Sequence, residues 1–217
     1  MGLLPKLILI ALFSTSCVIQ LGDTKTVKVY PTVPHKGLYT FALPEHAPFW
    51  LEDSLIKSVE YWNQALGDRH LQVAPSLKEA TVKIDYKFTP ILAEMTQQRE
   101  SSGCLGPYRS LTKCRMKVLI PSEGLLRQHI NQLVVSYSRG PLDRYLQQTM
   151  ASKGELYLQQ KIAVLNMIHE IGHTLGLSHS DDPSCAMHPG YLGSRRICAE
   201  EVMDARLQIK KILAKHP

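Results

Sequence analysis

The segment from His169 to His179, which reads HEIGHTLGLSH, constrains the fold of this chain more than any other stretch. It contains three histidines, one glutamate and two glycines, although glycine disfavours a helix. Residues four apart share one face of a helix, so His169 and His173 would present two imidazoles to one point. Apolar residues at helical spacing, among them Ile168 and Ile171, predict that this helix is anchored on a core.

Two imidazoles hold a metal ion poorly, and zinc sites that act on substrates use three protein ligands and leave one position for water. Gly176 has no Cβ and can adopt the left-handed conformation that ends a helix, which would bring His179 back toward the pair. We therefore predict one zinc site formed by His169, His173 and His179. The alternative is an incidental histidine pair on a solvated helix face, and the glycine and the third histidine argue against it.

Glu170 follows His169 and is rotated by about 100° around the helix, away from the metal and toward the water position. A carboxylate at that place predicts a general base for hydrolysis of an amide bond. Gly172 lies inside the same helix at a cost of roughly 1 kcal/mol relative to alanine. We interpret it as space for the close approach of another segment.

The sequence HEIGHTLGLSHS, followed by CAMHPGY, resembles the metzincin zinc endopeptidases and, within them, the matrixins. Ser180 is the residue type that follows the third histidine in matrixins. The resemblance implies that Met187 forms the Met-turn beneath the metal and that Pro189 and Tyr191 line the wall of the substrate pocket. It also implies a polypeptide substrate that binds in extended form along a sheet edge.

Some features depart from the matrixin pattern. No PRCGxPD segment precedes the domain, and no His/Asp segment for structural metals occurs, so no structural zinc or calcium site is evident. His188 stands where matrixins carry tyrosine, and we expect it to be a surface histidine and not a fourth ligand. The paired aspartates of the family's last helix are absent, with Glu200, Glu201 and Asp204 as inexact substitutes.

The resemblance and the periodicity together predict an α+β, zincin-like catalytic domain with a twisted mixed sheet, a zinc-binding helix and a small C-terminal subdomain with a final helix. At 217 residues we expect one catalytic domain over residues 18–217, with an upper part to about residue 176 and a lower part over 177–217. Ser152 and Glu155 form an S-x-x-E capping box that predicts the start of the histidine helix. Strands are predicted at 26–33, 38–43, 81–88 and 116–120, and further helices at 50–66, at 125–135, from 141 and at 198–216.

The first 17 residues predict a signal peptide and an exported protein, either secreted to the extracellular space or periplasmic. Cys17 follows small residues, as in a lipoprotein signal, so it is either lipidated or removed by ordinary cleavage. Proximity along the chain favours disulfide bonds between Cys104 and Cys114 and between Cys185 and Cys198. Zinc thiolate ligation is the weaker alternative, because no CxxC spacing occurs.

We therefore expect an exported zinc endopeptidase that is monomeric and approaches a membrane only through a lipid on Cys17. The net charge of +6 indicates a diffuse solvated surface, and no nucleic-acid partner is expected. The alternatives are a zinc hydrolase of cell-wall peptide or other non-protein amide bonds, a non-proteolytic metal-bound binding protein, and a surface adhesin. The other histidines lack ligand spacing and are expected at the surface or in local hydrogen bonds: His35, His46, His70, His129 and His216.

Overall fold

A computed structural model of the protein describes residues 39–89, 114–128, 141–189 and 196–215, all within one compact unit, His35–Pro217. Its elements in chain order are β1 (Tyr39–Ala42), α1 (Phe49–Leu66), β2 (Leu71–Val73), β3 (Val82–Thr89), β4 (Cys114–Pro121), α2 (Pro141–Lys153), α3 (Glu155–Thr174) and α4 (Ala199–Lys215). Residues 125–128 are also helical. The strand expected at 26–33 lies outside the described residues.

The four strands form one sheet in the order β2-β1-β3-β4. β3 and β4 pair along eight residues, from Val82 opposite Cys114 to Thr89 opposite Pro121. The predicted combination of a sheet, a long histidine helix and a final helix is confirmed. Every strand pair among the described residues is parallel, so the mixed character expected of the sheet is not seen within them.

Helix α1 buries one apolar stripe. It ends at Gly67, whose φ of 73° is the left-handed conformation common at the ends of helices. Arg206 of α4 donates hydrogen bonds to the carbonyl oxygens of Ala65 and Leu66, which the helix itself leaves unsatisfied. The buried stripe recurs every three or four residues: Leu51, Leu55, Val59, Trp62 and Leu66.

Two buried side chains of α1 tie this helix to α3. The Trp62 indole donates to the carbonyl of Ile168 at 2.8 Å, and the Ser58 hydroxyl, whose shorter bond at 2.7 Å is to the carbonyl of Ser54, lies 3.2 Å from the carbonyl of Val164. Donors and acceptors are both spaced by four residues, so the two helices run side by side in the same direction.

Two amides of α3 tie its other side to strand β4. Gln159 donates to the carbonyl of Pro121 at 3.0 Å, and Asn166 donates to the carbonyl of Leu119 at 2.8 Å. All these bonds are buried, where an unmade hydrogen bond is costly. Contacts on both sides therefore fix the rotation of α3 about its axis, and with it the direction of the histidine face.

The start of α3 was placed correctly from the sequence but for the wrong reason. Ser152 belongs to the last turn of α2 and donates to the carbonyl of Gln148, so it does not cap α3. The residue before the helix is Gly154, with φ 83° and no side-chain cap. Glu155 instead accepts a hydrogen bond from the backbone N–H of Gly124 at 2.7 Å. The glycine breaks the chain into two helices, which a capping motif alone does not reveal.

The alternation of β3 fails at its end. Residues 82, 84, 86 and 88 alternate as apolar positions in the sequence. Val82 and Ile84 are fully buried, but Phe88 is 39% exposed and Thr89 is buried instead. Phe88 lies edge-on to Tyr86 and near Trp50, so a surface aromatic group replaces core packing there.

Among the described helices, none has the length and apolar character needed to cross a bilayer.

The contact between α1 and α3 can be tested with the two tryptophans of the chain. Trp62→Phe removes a buried donor and leaves the Ile168 carbonyl without this partner, so we expect a loss of about 2–3 kcal/mol in the free energy of unfolding. Trp50→Phe, on the half-buried rim of the same helix, is the matched control and should cost less than about 1 kcal/mol. Urea unfolding followed by circular dichroism measures both, and equal losses would contradict this account.

Candidate metal centre

The structure brings His169, His173 and His179 together at the end of α3. The Nε2 atom of His173 lies 3.1 Å from the Nε2 of His169 and 3.1 Å from the Nε2 of His179. One nitrogen from each ring lies within 4.8 Å of the others. His169 is buried and His179 is exposed, so the cluster opens to solvent on one side.

Backbone carbonyls determine which ring nitrogens of the cluster carry protons. Nδ1 of His169 lies 2.9 Å from the carbonyl oxygen of Ala186, and Nδ1 of His173 lies 2.9 Å from that of Leu177. A carbonyl can only accept, so each Nδ1 donates and each Nε2 of a neutral ring carries a lone pair. Two such lone pairs at 3.1 Å repel each other unless a cation lies between them.

The donor set fits a zinc ion. Zn–N bonds of about 2.05 Å in a tetrahedron place neighbouring nitrogens about 3.3 Å apart, close to the separations here. Neutral imidazoles whose other nitrogen donates to a carbonyl are the usual form of a zinc-ligating histidine.

The end of α3 positions two of the three histidines. Gly176 has φ 89°, its N–H donates to the carbonyl of His173, and the N–H of Leu177 donates to the carbonyl of Gly172. These two bonds define a Schellman turn, and they show the left-handed glycine predicted from the sequence. The turn reverses the chain toward His179 and places the Leu177 carbonyl against the His173 ring.

Met187 lies directly under the histidine helix. It is fully buried, and a Cβ built at Gly172 would lie 2.2 Å from its sulfur atom and 3.2 Å from Trp62. No side chain fits at residue 172 while Met187 occupies this place. The predicted reason for the glycine, close approach of another segment, is confirmed, and that segment is the turn around Met187.

Burial lowers the pKa of the His173 imidazole, although its hydrogen bond with Leu177 acts in the opposite direction and the charge of His179 lowers it further. Burial also lowers the pKa of His179, with a smaller effect from the charge of His188. Both rings are therefore neutral at neutral pH, the form that ligates metal.

Glu170 is 2% exposed and lies next to His169 on α3. Burying a carboxyl group is costly, so its burial next to a ligand-bearing residue marks Glu170 as a candidate for the chemistry of the site. His188 is half-buried, His46 is exposed and His70 lies 3.7 Å from a carboxylate oxygen of Asp68. None of these three belongs to the metal cluster.

The predicted bond between Cys185 and Cys198 is present, with their Cα atoms 5.4 Å apart. Cys104 and the side chain of Cys114 lie outside the described residues, as do Cys17, Tyr191, His35, His129 and His216. Pro189 is exposed at the edge of a described range. The pocket wall therefore stays a prediction.

Glu201 has a role at this site that sequence reasoning missed. Its carboxylate accepts hydrogen bonds from the backbone N–H groups of Met187 at 2.7 Å and Cys198 at 2.8 Å. Cys198 precedes α4 and Glu201 is the third residue of that helix, the spacing at which a glutamate reaches back to the N-cap. That spacing was the available signal. Glu200 and Asp204 are exposed on the same helix.

Gly172→Ala tests the contact with Met187. Alanine would stabilise the helix itself by about 1 kcal/mol. Overpacking against the sulfur of Met187 would cost about 1–3 kcal/mol or more. We expect a net loss of stability in chemical unfolding. The effect of Gly172→Ala should be measured again in a Met187→Ala protein, by comparing the double variant with Met187→Ala alone. There the loss should vanish, and an unchanged loss would assign the glycine another role.

The lowered histidine pKa values predict a pH dependence for the metal-free protein. Below pH 6.5, the ordinary pKa of histidine, residue His173 binds a proton in the unfolded chain but remains neutral in the folded protein until the pH is lower. Stability should be constant above about pH 7 and fall as the pH drops below about 6.5. Urea unfolding of chelator-treated protein at several pH values measures this. In His173→Gln the fall should be smaller, and an unchanged fall would exclude His173 as its source.

Two comparisons with known proteins found similarities. Residues 125–208, less than half of the chain, match the family model described as Peptidase_M10, matrixin. The crystal structure of archaemetzincin from Methanopyrus kandleri is similar at 14% sequence identity and a TM-score of 0.42, over 82% of this chain and 99% of that chain. No curated protein matches the sequence. The matched segment contains all three histidines, Met187 and Glu201, so this part of the chain is similar to the matrixins.

Proposed function

We propose that this protein is an exported endopeptidase in which His169, His173 and His179 hold one catalytic zinc ion and Glu170 is the general base. One observation carries the proposal: the Nε2 atoms of His169 and His173 lie 3.1 Å apart while the Nδ1 atom of each ring is bonded to a backbone carbonyl. The residue that follows His169, Glu170, is buried. Such an arrangement is unfavourable without a cation and suited to hydrolysis with one.

A bound zinc ion lowers the pKa of its water toward about 7 and polarises a substrate carbonyl. Glu170 would accept a proton from this water and deliver it to the nitrogen of the scissile bond, so that the amine leaves as a neutral group. Its position one residue after His169 directs it away from the ligand face by about 100°. Its burial restricts exchange of this proton with bulk water.

The substrate would be a polypeptide in extended form, adding as a strand to an edge of the sheet. Backbone hydrogen bonds would then provide affinity, and one side chain would enter a pocket with Pro189 and Tyr191 in its wall. This part of the proposal is supported by the matrixin match over residues 125–208.

Export is supported by the apolar segment within the first 17 residues and by the disulfide between Cys185 and Cys198. Disulfides of this kind persist in oxidising compartments. Cys17 would be either a lipid anchor or part of the removed segment, and mass spectrometry of the mature N-terminus distinguishes the two.

The assay that tests the function uses unfolded casein and purified cell-wall peptide, each with and without a zinc chelator. We expect hydrolysis of casein that the chelator abolishes. Glu170→Gln should lower kcat by about 10²–10⁴-fold while zinc content, measured by mass spectrometry, is unchanged. Glu52→Gln, an exposed carboxylate on α1, is the control for loss of one charge.

Full activity in Glu170→Gln would exclude this residue as the base. Hydrolysis that survives the chelator would exclude the metal mechanism. Cleavage of cell-wall peptide without cleavage of casein would move the substrate to a non-protein amide.

A further inference from the structure

A cleft of about 630 Å³ lies at the opposite end of α3 from the histidine cluster, between Trp50, Phe88, Leu156 and Gln159. A helix rises by about 1.5 Å per residue, so Leu156 and His169 lie about 20 Å apart along α3. Clefts of this volume are large enough to hold a small ligand or part of a larger one. We call it the aromatic cleft.

Four elements of the fold meet at the aromatic cleft. Phe88 lies near the end of β3 and Glu123 follows the end of β4, while Trp50 and Leu156 belong to the first turns of α1 and α3. Ligand clefts in open sheets of parallel strands commonly form at this end, outside the carboxyl ends of the strands. The cleft is therefore built on helices and strands, which hold its side chains in place.

One wall of the cleft is aromatic and exposed. The ring centroids of Trp50 and Phe88 are 6.3 Å apart with their planes tilted by 58°, and Tyr86 lies edge-on to Phe88 at 5.7 Å. Phe88 is 39% exposed and Leu156 is 53% exposed. The faces of aromatic rings carry negative partial charge, so this wall suits an alkyl chain that ends in a cation.

The charged side chains of the cleft leave it with one net negative charge. Arg127 forms an ion pair with Glu155 at 3.4 Å, and Glu155 also accepts the N–H of Gly124 at 2.7 Å. Glu155 therefore offsets both Arg127 and part of the positive end of α3. Glu123 is exposed, and among the described residues no cation forms an ion pair with it. Its carboxylate is the charge left for a ligand.

Gln159 adds a neutral acceptor to the cleft. It is 6% exposed, and its amide nitrogen donates to the carbonyl of Pro121 at 3.0 Å. A carbonyl can only accept, so this bond determines which end of the amide is nitrogen and which is Oε1. Within the described ranges no donor bonds to that Oε1. A ligand that carries N–H groups would supply the donor.

We propose that the aromatic cleft is a second polypeptide-binding site that takes the side chain of a lysine or arginine. The alkyl part would pack on Trp50 and Phe88, and the cationic N–H groups would donate to Glu123 and Gln159. A quaternary ammonium group fits the aromatic wall equally well but has no N–H for Gln159. The identity of the occupant rests on the proposed function, since the polypeptide is taken to be the substrate of the zinc site.

Direct binding tests the chemistry of the cleft without any turnover. The probe is Nα-acetyl-lysine methylamide, compared with its neutral norleucine counterpart and with choline. We expect the lysine probe to shift the ¹H–¹⁵N signal of the Trp50 indole, assigned with Trp50→Phe, and to leave that of the fully buried Trp62 unchanged. The other two compounds should bind at least about fivefold more weakly, since each lacks one of the contacts.

Two variants assign the binding to the cleft. Glu123→Gln removes the charge, and Phe88→Leu keeps an apolar side chain but removes the ring. Each should weaken binding of the lysine probe by about fivefold or more. The matched controls, Glu200→Gln and Phe49→Leu, alter exposed residues outside the cleft and should bind as the wild type does. Binding unchanged in both cleft variants would overturn the inference.

Substrate length tests whether the cleft serves the zinc site. An extended chain covers about 3.3 Å per residue, so at least about six residues on one side of the scissile bond are needed to span about 20 Å. Glu123→Gln should raise KM for unfolded casein about fivefold with kcat unchanged. It should leave kcat/KM unchanged for a hexapeptide cleaved at its centre, which is too short to reach the cleft. An equal rise in KM for both substrates would contradict a remote site.

The outcomes separate this inference from the proposed function. If the lysine probe does not shift the Trp50 signal, the inference fails whether or not the protein cleaves casein. Choline that binds as tightly as the lysine probe would also overturn it, because the N–H contacts would then contribute nothing. A protein that binds the lysine probe but cleaves no polypeptide refutes the proposed function and the substrate as occupant, while the preference of the cleft for an N–H cation stands.

Discussion

The rotation of α3 about its axis is the constraint on which the site depends. The buried Trp62 indole of α1 donates to the carbonyl of Ile168, and two buried amides of α3 donate to carbonyls of β4 on the other side. A helix held by apolar contacts alone can rotate by small angles at little cost. Here each such rotation would break a hydrogen bond in an environment without water, so the direction of the imidazoles is set by the core.

The short distance between the Nε2 atoms of His169 and His173 links the fixed orientation of these rings to metal binding. Both Nδ1 atoms are committed to carbonyls, so the rings cannot turn to hydrogen-bond with each other without losing those bonds. Two lone pairs at this separation repel each other, and a cation bound between them would remove the repulsion. Metal binding and folding stability are therefore linked, and occupancy of the site should raise the free energy of unfolding.

Sequence analysis predicted what lies within single elements and local turns. The spacing of His169, His173 and His179, the left-handed Gly176 and the buried stripe of α1 each follow from the geometry of one helix and its end. The pairing of Cys185 with Cys198 followed from a short loop. Contacts between elements remote in sequence were missed, because periodicity says nothing about which partner a polar side chain will meet.

Glu201, Ser152 and Phe88 illustrate that limit. Glu201 was noted as an imperfect match to an aspartate pair, yet its carboxylate bridges Met187 and Cys198. Ser152 satisfies a motif in the sequence but lies on the other side of a break at Gly154. Phe88 has the correct alternation for burial but finds other aromatic groups at the surface. In each case tertiary contacts override a correct local pattern.

The Schellman turn at Gly176 separates two kinds of contact in the histidine cluster. One joins residues close together in the sequence, and the other joins residues far apart in it. His173 and its carbonyl partner, Leu177, are 4 residues apart in the sequence. His169 and its partner, Ala186, are 17 residues apart. The next residue, Met187, is bonded to Glu201, a further 14 residues along the chain. Closing a longer loop costs more entropy, so one half of the centre can form as soon as the helix ends. The other half is complete only with the last helix in place, so the metal centre depends on the C-terminal helix as well as on α3.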